Sequence, residues 1–133
     1  MKVNKFKIEG LIEFIPNTYK DSRGEFTETY NQQLMTSLGL TELFVQDNQS
    51  ISKKGVIRGL HLQKGEYAQA KLIRVIKGEI LDVVVDVRKE SKTFGKTFSC
   101  ILSEENKKQL FIPKGFLHGF AALKNNSIVF YKC

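Results

Sequence analysis

The feature that most constrains this chain is the rate at which short strand-like runs follow one another. Apolar, β-branched and aromatic segments recur from LIEFI (11–15) through EFTETY (25–30), FVQDNQSIS (44–52), VIRGLHLQ (56–63) and AKLIRVI (70–76). They continue through EILDVVVDV (79–87), KTFSCIL (96–102), QLFI (109–112), GFAAL (119–123) and SIVFYK (127–132). Turn signals separate them. Lys77-Gly78 sits between two apolar runs as a tight hairpin turn, Lys124-Asn125-Asn126 reads as another, and NTYKDSRG after Pro16 reads as a polar loop. Only NQQLMTSLG (31–39) reads as a helix, with Asn31 as its cap and Gly39 as its stop. Many short strands with one short helix predict an all-β sandwich or barrel. A length of 133 residues fits one domain, residues 1–133, with no repeat or linker.

Two strands carry polar residues where a dry core would not use them. In 79–87, Leu81, Val83, Val85 and Val87 share one face, whereas Asp82 and Asp86 lie on the other beside Ile80 and Val84. That pattern reads as one dry face and one partly polar face, and in a jelly roll a polar face can line an internal pocket. In 44–52, Gln46, Asn48 and Ser50 share a face, but Asp47 and Gln49 occupy the opposite one. Composition alone leaves two readings open: a solvated edge strand, or amides turned into a pocket.

The chain has 21 Lys and Arg against 14 Asp and Glu, a net charge of +7. A basic excess attracts anions, but nucleic-acid binders gather their charge in stripes or runs. Here the longest basic runs are the pairs Lys53-Lys54 and Lys107-Lys108, which argues against nucleic acid and leaves room for a small anion site. No apolar run reaches membrane-spanning length, and MKVNKFKIEG lacks the apolar core of a signal peptide. Cys100 and Cys133 fit neither a disulfide framework nor a zinc motif, so free thiols in a reducing cytoplasm are expected.

The two histidines stand in RGLHLQ (58–63) and IPKGFLHGF (112–120). These segments resemble the two metal-binding blocks of cupins, which are jelly rolls, or double-stranded β-helices. The first block has the form G-x5-H-x-H followed by a glutamate, and the second P-x-G-x-x-H. Pro113-Lys114-Gly115-Phe116-Leu117-His118 fits the second, but Gln63 stands where the first requires a second histidine, and Lys71 where it requires the glutamate. An ammonium has no lone pair to offer a cation, so no metal is expected. A lone histidine is most often a core residue bonded to a backbone carbonyl. His118 fits that reading better than His61, which Arg58, Gln63 and Lys71 accompany.

RGLH with a KL pair ten residues on, DVVVDVR with a following Ser-x-x-Phe-Gly, and IPKGFLHGF resemble the dTDP-4-dehydrorhamnose 3,5-epimerase family. DSRGEFTE and FVQDNQS-x-S match the same family, and the resemblance runs from about residue 10 to the end. It implies a cupin-fold homodimer that uses no cofactor and inverts C3, C5 or both in a nucleotide-linked 4-keto-6-deoxy sugar. The pathway it implies makes sugars for surface polysaccharide, of the dTDP-L-rhamnose type. By this resemblance His61 is the base, Tyr131 the acid and Lys71 the partner of the keto oxygen. His118 lies close to the sugar, Arg23 and Arg58 grip the diphosphate and sugar hydroxyls, and Phe26, Glu28, Gln46 and Asn48 bind nucleotide and sugar. Without the resemblance, Tyr131 in SIVFYK would read as an ordinary strand residue. On an ideal strand Arg58 and His61 have opposite parity, so they would face apart unless Gly59 makes a bulge.

Family members usually continue past the tyrosine strand into a segment with a carboxylate that pairs with the base. This sequence ends at Tyr131-Lys132-Cys133, so a more open pocket and a less firmly oriented His61 are expected, with the partner subunit, Asp82 or Asp86 as substitutes. A strand within about residues 3–15 is expected to add to the partner's sheet. Two alternatives remain: a nucleotide-sugar 3,4-ketoisomerase, which typically has a second histidine at the position of Gln63, and a non-catalytic nucleotide-sugar-binding cupin.

Overall fold

In a computed structural model of residues 1–133, the chain forms twelve strands, ten of them in two packed sheets and two in a separate hairpin. They are β1 (Lys2–Lys5), β2 (Ile12–Ile15), β3 (Thr18–Asp21), β4 (Gly24–Thr27), β5 (Asp47–Ser52) and β6 (Ile57–His61). The chain continues with β7 (Lys71–Lys77), β8 (Glu79–Asp86), β9 (Thr97–Ser103), β10 (Gln109–Ile112), β11 (Phe116–Ala122) and β12 (Ser127–Lys132). Six strands form one sheet in the order β1-β2-β10-β7-β12-β5, and four form a second in the order β6-β11-β8-β9. All pairings are antiparallel. The two sheets close on a core that includes Ile73, Val75 and Val129 from the first and Ile80, Val84, Leu102 and Phe120 from the second. This is the all-β sandwich expected from the strand pattern, in the jelly-roll form that the cupin resemblance implied.

The one α-helix, α1 (Gln32–Ser37), is only six residues long and would not persist alone. The Asn31 side chain caps it by accepting from the Leu34 amide at 3.1 Å, and Gly39 ends it at φ 104°. Its buried Met35, with Leu40, packs on Ile12, Phe14, Leu72 and Phe111 on the outside of the large sheet. The helix thus covers the outer face of β2, β7 and β10. No helix is long and apolar enough to cross a membrane.

Most expected strands are present, β10 and β12 with the expected ends. Residues 17–24 depart from the loop reading. Thr18–Asp21 forms β3, which pairs with β4 as a separate two-stranded hairpin, with Tyr19 opposite Phe26 and the Thr18 and Thr27 hydroxyls 2.9 Å apart. Its polarity reflects exposure on both faces and not irregular backbone. In β8 the face that carries Asp82 and Asp86 turns inward, as a pocket-lining face would, and both acids are fully buried; Leu81, Val83 and Val85, expected on a dry face, are only half-buried on the outer surface. Period-two patterning separates two faces but does not say which is inside, and here both carboxylates find partners indoors. In this single chain β1 pairs with β2, Lys2 opposite Ile15, leaving the far side of β1 as a sheet edge.

Asp86 anchors the loop between β8 and β9. It accepts from Arg88 Nε at 2.9 Å and Nη2 at 2.8 Å, from Ser91 at 2.6 Å and from Thr93 at 2.7 Å. The Arg88 guanidinium also lies over the Phe116 ring at 4.5 Å, and its Nη2 donates to the Glu9 carbonyl. The network therefore fixes the start of β11, two residues before His118. Arg88 beside it, with the two hydroxyls, holds the Asp86 carboxyl far below the ordinary carboxylate range. Removing one partner of a buried charged network leaves the others uncompensated, so Asp86→Ala should cost about 3 kcal/mol in urea unfolding. The sign of the pH dependence follows from the depressed value: the wild-type contribution is complete above the unfolded-state pKa near 3.8 and declines as pH falls below it. Acid titrations of the two proteins should converge there.

Candidate active site

Five of the expected residues line one cavity of about 460 Å³ between the sheets: Arg58, His61, Lys71, His118 and Tyr131. His61 and Arg58 come from β6 and His118 from β11 of the small sheet; Lys71 comes from β7 and Tyr131 from β12 of the large one. The cavity thus has a histidine wall facing a Lys-Tyr wall. β6 is the edge strand of its sheet and is exposed along its length, so this side is open to solvent.

The geometry resolves the parity conflict on β6. His61 lies opposite His118, and Arg58 lies opposite Phe120, so three steps on β6 match two on β11. This bulge turns Arg58 and His61 into the same cavity. Two glycines make it possible. A Cβ on Gly59 would lie 2.5 Å from Gly119 Cα, and one on Gly119 would lie 2.6 Å from the Arg58 carbonyl oxygen. Backbone meets backbone here, with no flexible side chain to give way. Arg58 is held by Nε donating to Ser52 Oγ at 3.0 Å and Nη2 to the Ile51 carbonyl at 3.3 Å, which ties β6 to β5.

The carboxylate question has a definite answer within this chain. Asp82 bonds His118 Nε2 through Oδ2 at 2.8 Å, and Asp86 is committed to Arg88, so neither substitutes as a partner for His61. Asp82 is fully buried and its Oδ1 has no hydrogen-bond partner. Burial raises its pKa, while the charges of His118 and Lys71 oppose that rise. His118 is therefore neither bonded to a carbonyl nor free; it is the cavity end of a buried carboxylate–imidazole pair. Cys100, across the strand pair from Asp82, is pushed up to about 12 by burial, which makes it inert.

The remaining expected residues lie elsewhere. Asn48 stands opposite Tyr131 across β5 and β12, and accepts through Oδ1 from Gln46 Nε2 at 2.9 Å, so these amides flank the cavity beside the tyrosine. Arg23 and Phe26 belong to the β3–β4 hairpin, where they line a separate depression of about 450 Å³ with Tyr19. Arg23 is paired to Asp21 at 2.6 Å and is 88% exposed; Glu28 is exposed and lines neither cavity. Ser50, which lines the main cavity with an unpartnered Oγ, was not among the expected site residues, although its shared face with Asn48 was a legible signal. Asp82 was legible only as a buried-face acid, because its partner depends on strand register.

The glycine contact yields a sharp expectation. Gly119→Ala forces the new methyl group into the β6 backbone, and overpacking of this kind should cost about 2 kcal/mol in urea unfolding. It should also part His61 from His118, which a crystal structure of the variant would show.

A sequence match to the family described as dTDP-4-dehydrorhamnose 3,5-epimerase spans residues 5–133. The enzyme of that name from Methanothermobacter thermautotrophicus is 51% identical over 129 residues, covering 97% of this chain and 69% of the relative. Among solved structures, the Bacillus anthracis 3,5-epimerase with TDP and PPi bound superposes with a TM-score of 0.96 at 48% identity, covering 98% of this chain and 75% of that one. The Legionella pneumophila epimerase in complex with dTDP-4-keto-L-rhamnose gives 0.93 at 45% identity, covering 99% and 71%. With its two-walled cavity and a match along nearly its whole length, the chain belongs to the dTDP-4-dehydrorhamnose 3,5-epimerase family.

Proposed function

We propose that this chain inverts C3 and C5 of a dTDP-linked 4-keto-6-deoxy sugar, in the biosynthesis of sugars for surface polysaccharide. One observation carries the reading: His61 and Tyr131 enter a single cavity from opposite sheets, with Lys71 beside the tyrosine strand. Hydrogens next to a ketone are weakly acidic because the carbanion left behind delocalises onto oxygen. Inversion then requires removal of the proton on one face and its replacement from the other. A histidine is suited to removing it, since its ordinary pKa of about 6.5 lies near working pH. Tyr131 on the facing wall supplies the replacement. The Lys71 ammonium, aimed at the developing enolate oxygen, contributes on the order of 3 kcal/mol of electrostatic stabilisation.

Arg58, fixed by Ser52 and the Ile51 carbonyl, presents a guanidinium fork at the open edge of the cavity, a geometry suited to phosphate or sugar oxygens. The protein works in the cytoplasm in this reading, where its two free thiols are stable. It works as a homodimer. Support comes from the unpaired edge of β1 and from the projecting β3–β4 hairpin, whose Arg23 and Phe26 are presented to solvent away from their own chain's cavity. Light scattering at micromolar concentration should give twice the chain mass, and a monomer would count against this arrangement.

The chemistry is tested by NMR in deuterated water with dTDP-4-keto-6-deoxyglucose, the C3,C5 epimer of dTDP-4-keto-L-rhamnose. Wild-type protein should place deuterium at both carbons. His61→Asn should lower that rate by roughly 10² or more while dTDP affinity stays within a few-fold. A His61→Asn protein that exchanges at near the wild-type rate would refute the assignment of the base.

A further inference from the structure

We propose that Asp82 and His118 form a proton relay that resets His61 while the sugar remains bound. The proposal rests on the epimerase reading and extends it to groups that reading leaves without a task.

Each inversion leaves His61 with one proton too many and Tyr131 with one too few. A second carbon of the same bound sugar cannot react until both are restored. His61 is exposed in the free protein, and a sugar seated against this wall displaces the water with which its imidazole would otherwise exchange protons. A proton acceptor on its own wall is His118, its cross-strand neighbour, which lines the same cavity. His118 Nε2 is engaged with Asp82 Oδ2 at 2.8 Å, so Nδ1 is the ring nitrogen left for the cavity side. Asp82 is wholly buried and its second oxygen has no partner, an arrangement that costs stability and so calls for a role beyond packing. The charged or titratable side chains around the pair are His61, Lys71, Tyr131 and Arg58 in the cavity and Cys100 across from Asp82.

The proton count balances. The C–H bond breaks, its electron pair moves to the enolate oxygen, and the proton rests on His61 Nε2 or Nδ1. His118 accepts that proton at Nδ1 and passes its Nε2 proton to the Asp82 carboxylate, leaving a neutral imidazole and a neutral acid. Reprotonation of the carbon by Tyr131 leaves a phenolate. The stored proton returns through His118 to cavity water, and the phenolate takes one from the same water. Asp82 never touches the sugar; it is a positioning residue that acts through His118.

The test uses the deuterium exchange assay with Asp82→Asn and with His118→Asn across a series of imidazole concentrations at neutral pH. Wild-type exchange should not depend on imidazole. Asp82→Asn should slow exchange by roughly ten-fold or more, keep KM within a few-fold, accumulate sugar labelled at one carbon, and recover as imidazole replaces the missing acceptor. An unchanged rate, or a loss with no response to imidazole and no singly labelled sugar, would overturn the relay. If Asp82→Asn lacks a cooperative thermal transition, His118→Asn decides by the same imidazole criterion. A wild-type chain that exchanges neither carbon would overturn the epimerase reading and the relay together. Normal wild-type exchange with an imidazole-indifferent variant overturns the relay alone.

Discussion

The site depends on the contact between two backbones at Gly59 and Gly119. There β6 and β11 approach so closely that neither glycine has room for a Cβ, and one extra residue on β6 is absorbed between the pairs His61–His118 and Arg58–Phe120. A regular ladder would turn either Arg58 or His61 to the outside. The bulge brings the cation, the proposed base and the second histidine to one wall. The rest of the barrel supplies the opposing wall: β12 and β7 hold Tyr131 and Lys71 across the core from them. A jelly roll suits this chemistry because its two sheets approach one sugar ring from both faces.

Charge is placed with the same economy. The two acids on the inner face of β8 are both buried, yet their environments differ. Asp86 is surrounded by donors and stabilised as a carboxylate, and it ties the loop after β8 to the start of β11. Asp82 has one partner and a vacant oxygen, and burial raises its pKa. The first is a structural anchor; the second is the group proposed to take up a proton through His118. Neither arrangement would follow from the acid count or net charge.

Much of the fold was legible because the strands are short and their turns well marked. The cap at Asn31, the stop at Gly39 and the ends of β10 and β12 follow from local chemistry. The β3–β4 hairpin was not legible, because a strand exposed on both faces carries no hydrophobic alternation. The exposure of Leu81, Val83 and Val85 on β8 was not legible either, since an apolar face reads as dry until its neighbours are known. His61, Lys71, Tyr131, Arg58 and His118 were legible through the family resemblance, Tyr131 through it alone, and the parity of RGLH marked Gly59 as the place where a bulge would be needed. What the sequence concealed was pairing at a distance. Asp82 meets His118 across 36 positions, and Ser50 joins the cavity only once β5 has docked on β12.

The central claim is that a sugar ring lies between the histidine wall and the tyrosine wall. A crystal structure of this protein with dTDP-glucose bound tests it most directly. The account predicts that the C3 and C5 hydrogens point toward His61 on one face, that Tyr131 approaches the opposite face, and that O4 points toward Lys71. A ring bound outside this cavity, or one with His61 and Tyr131 on the same face, would contradict it.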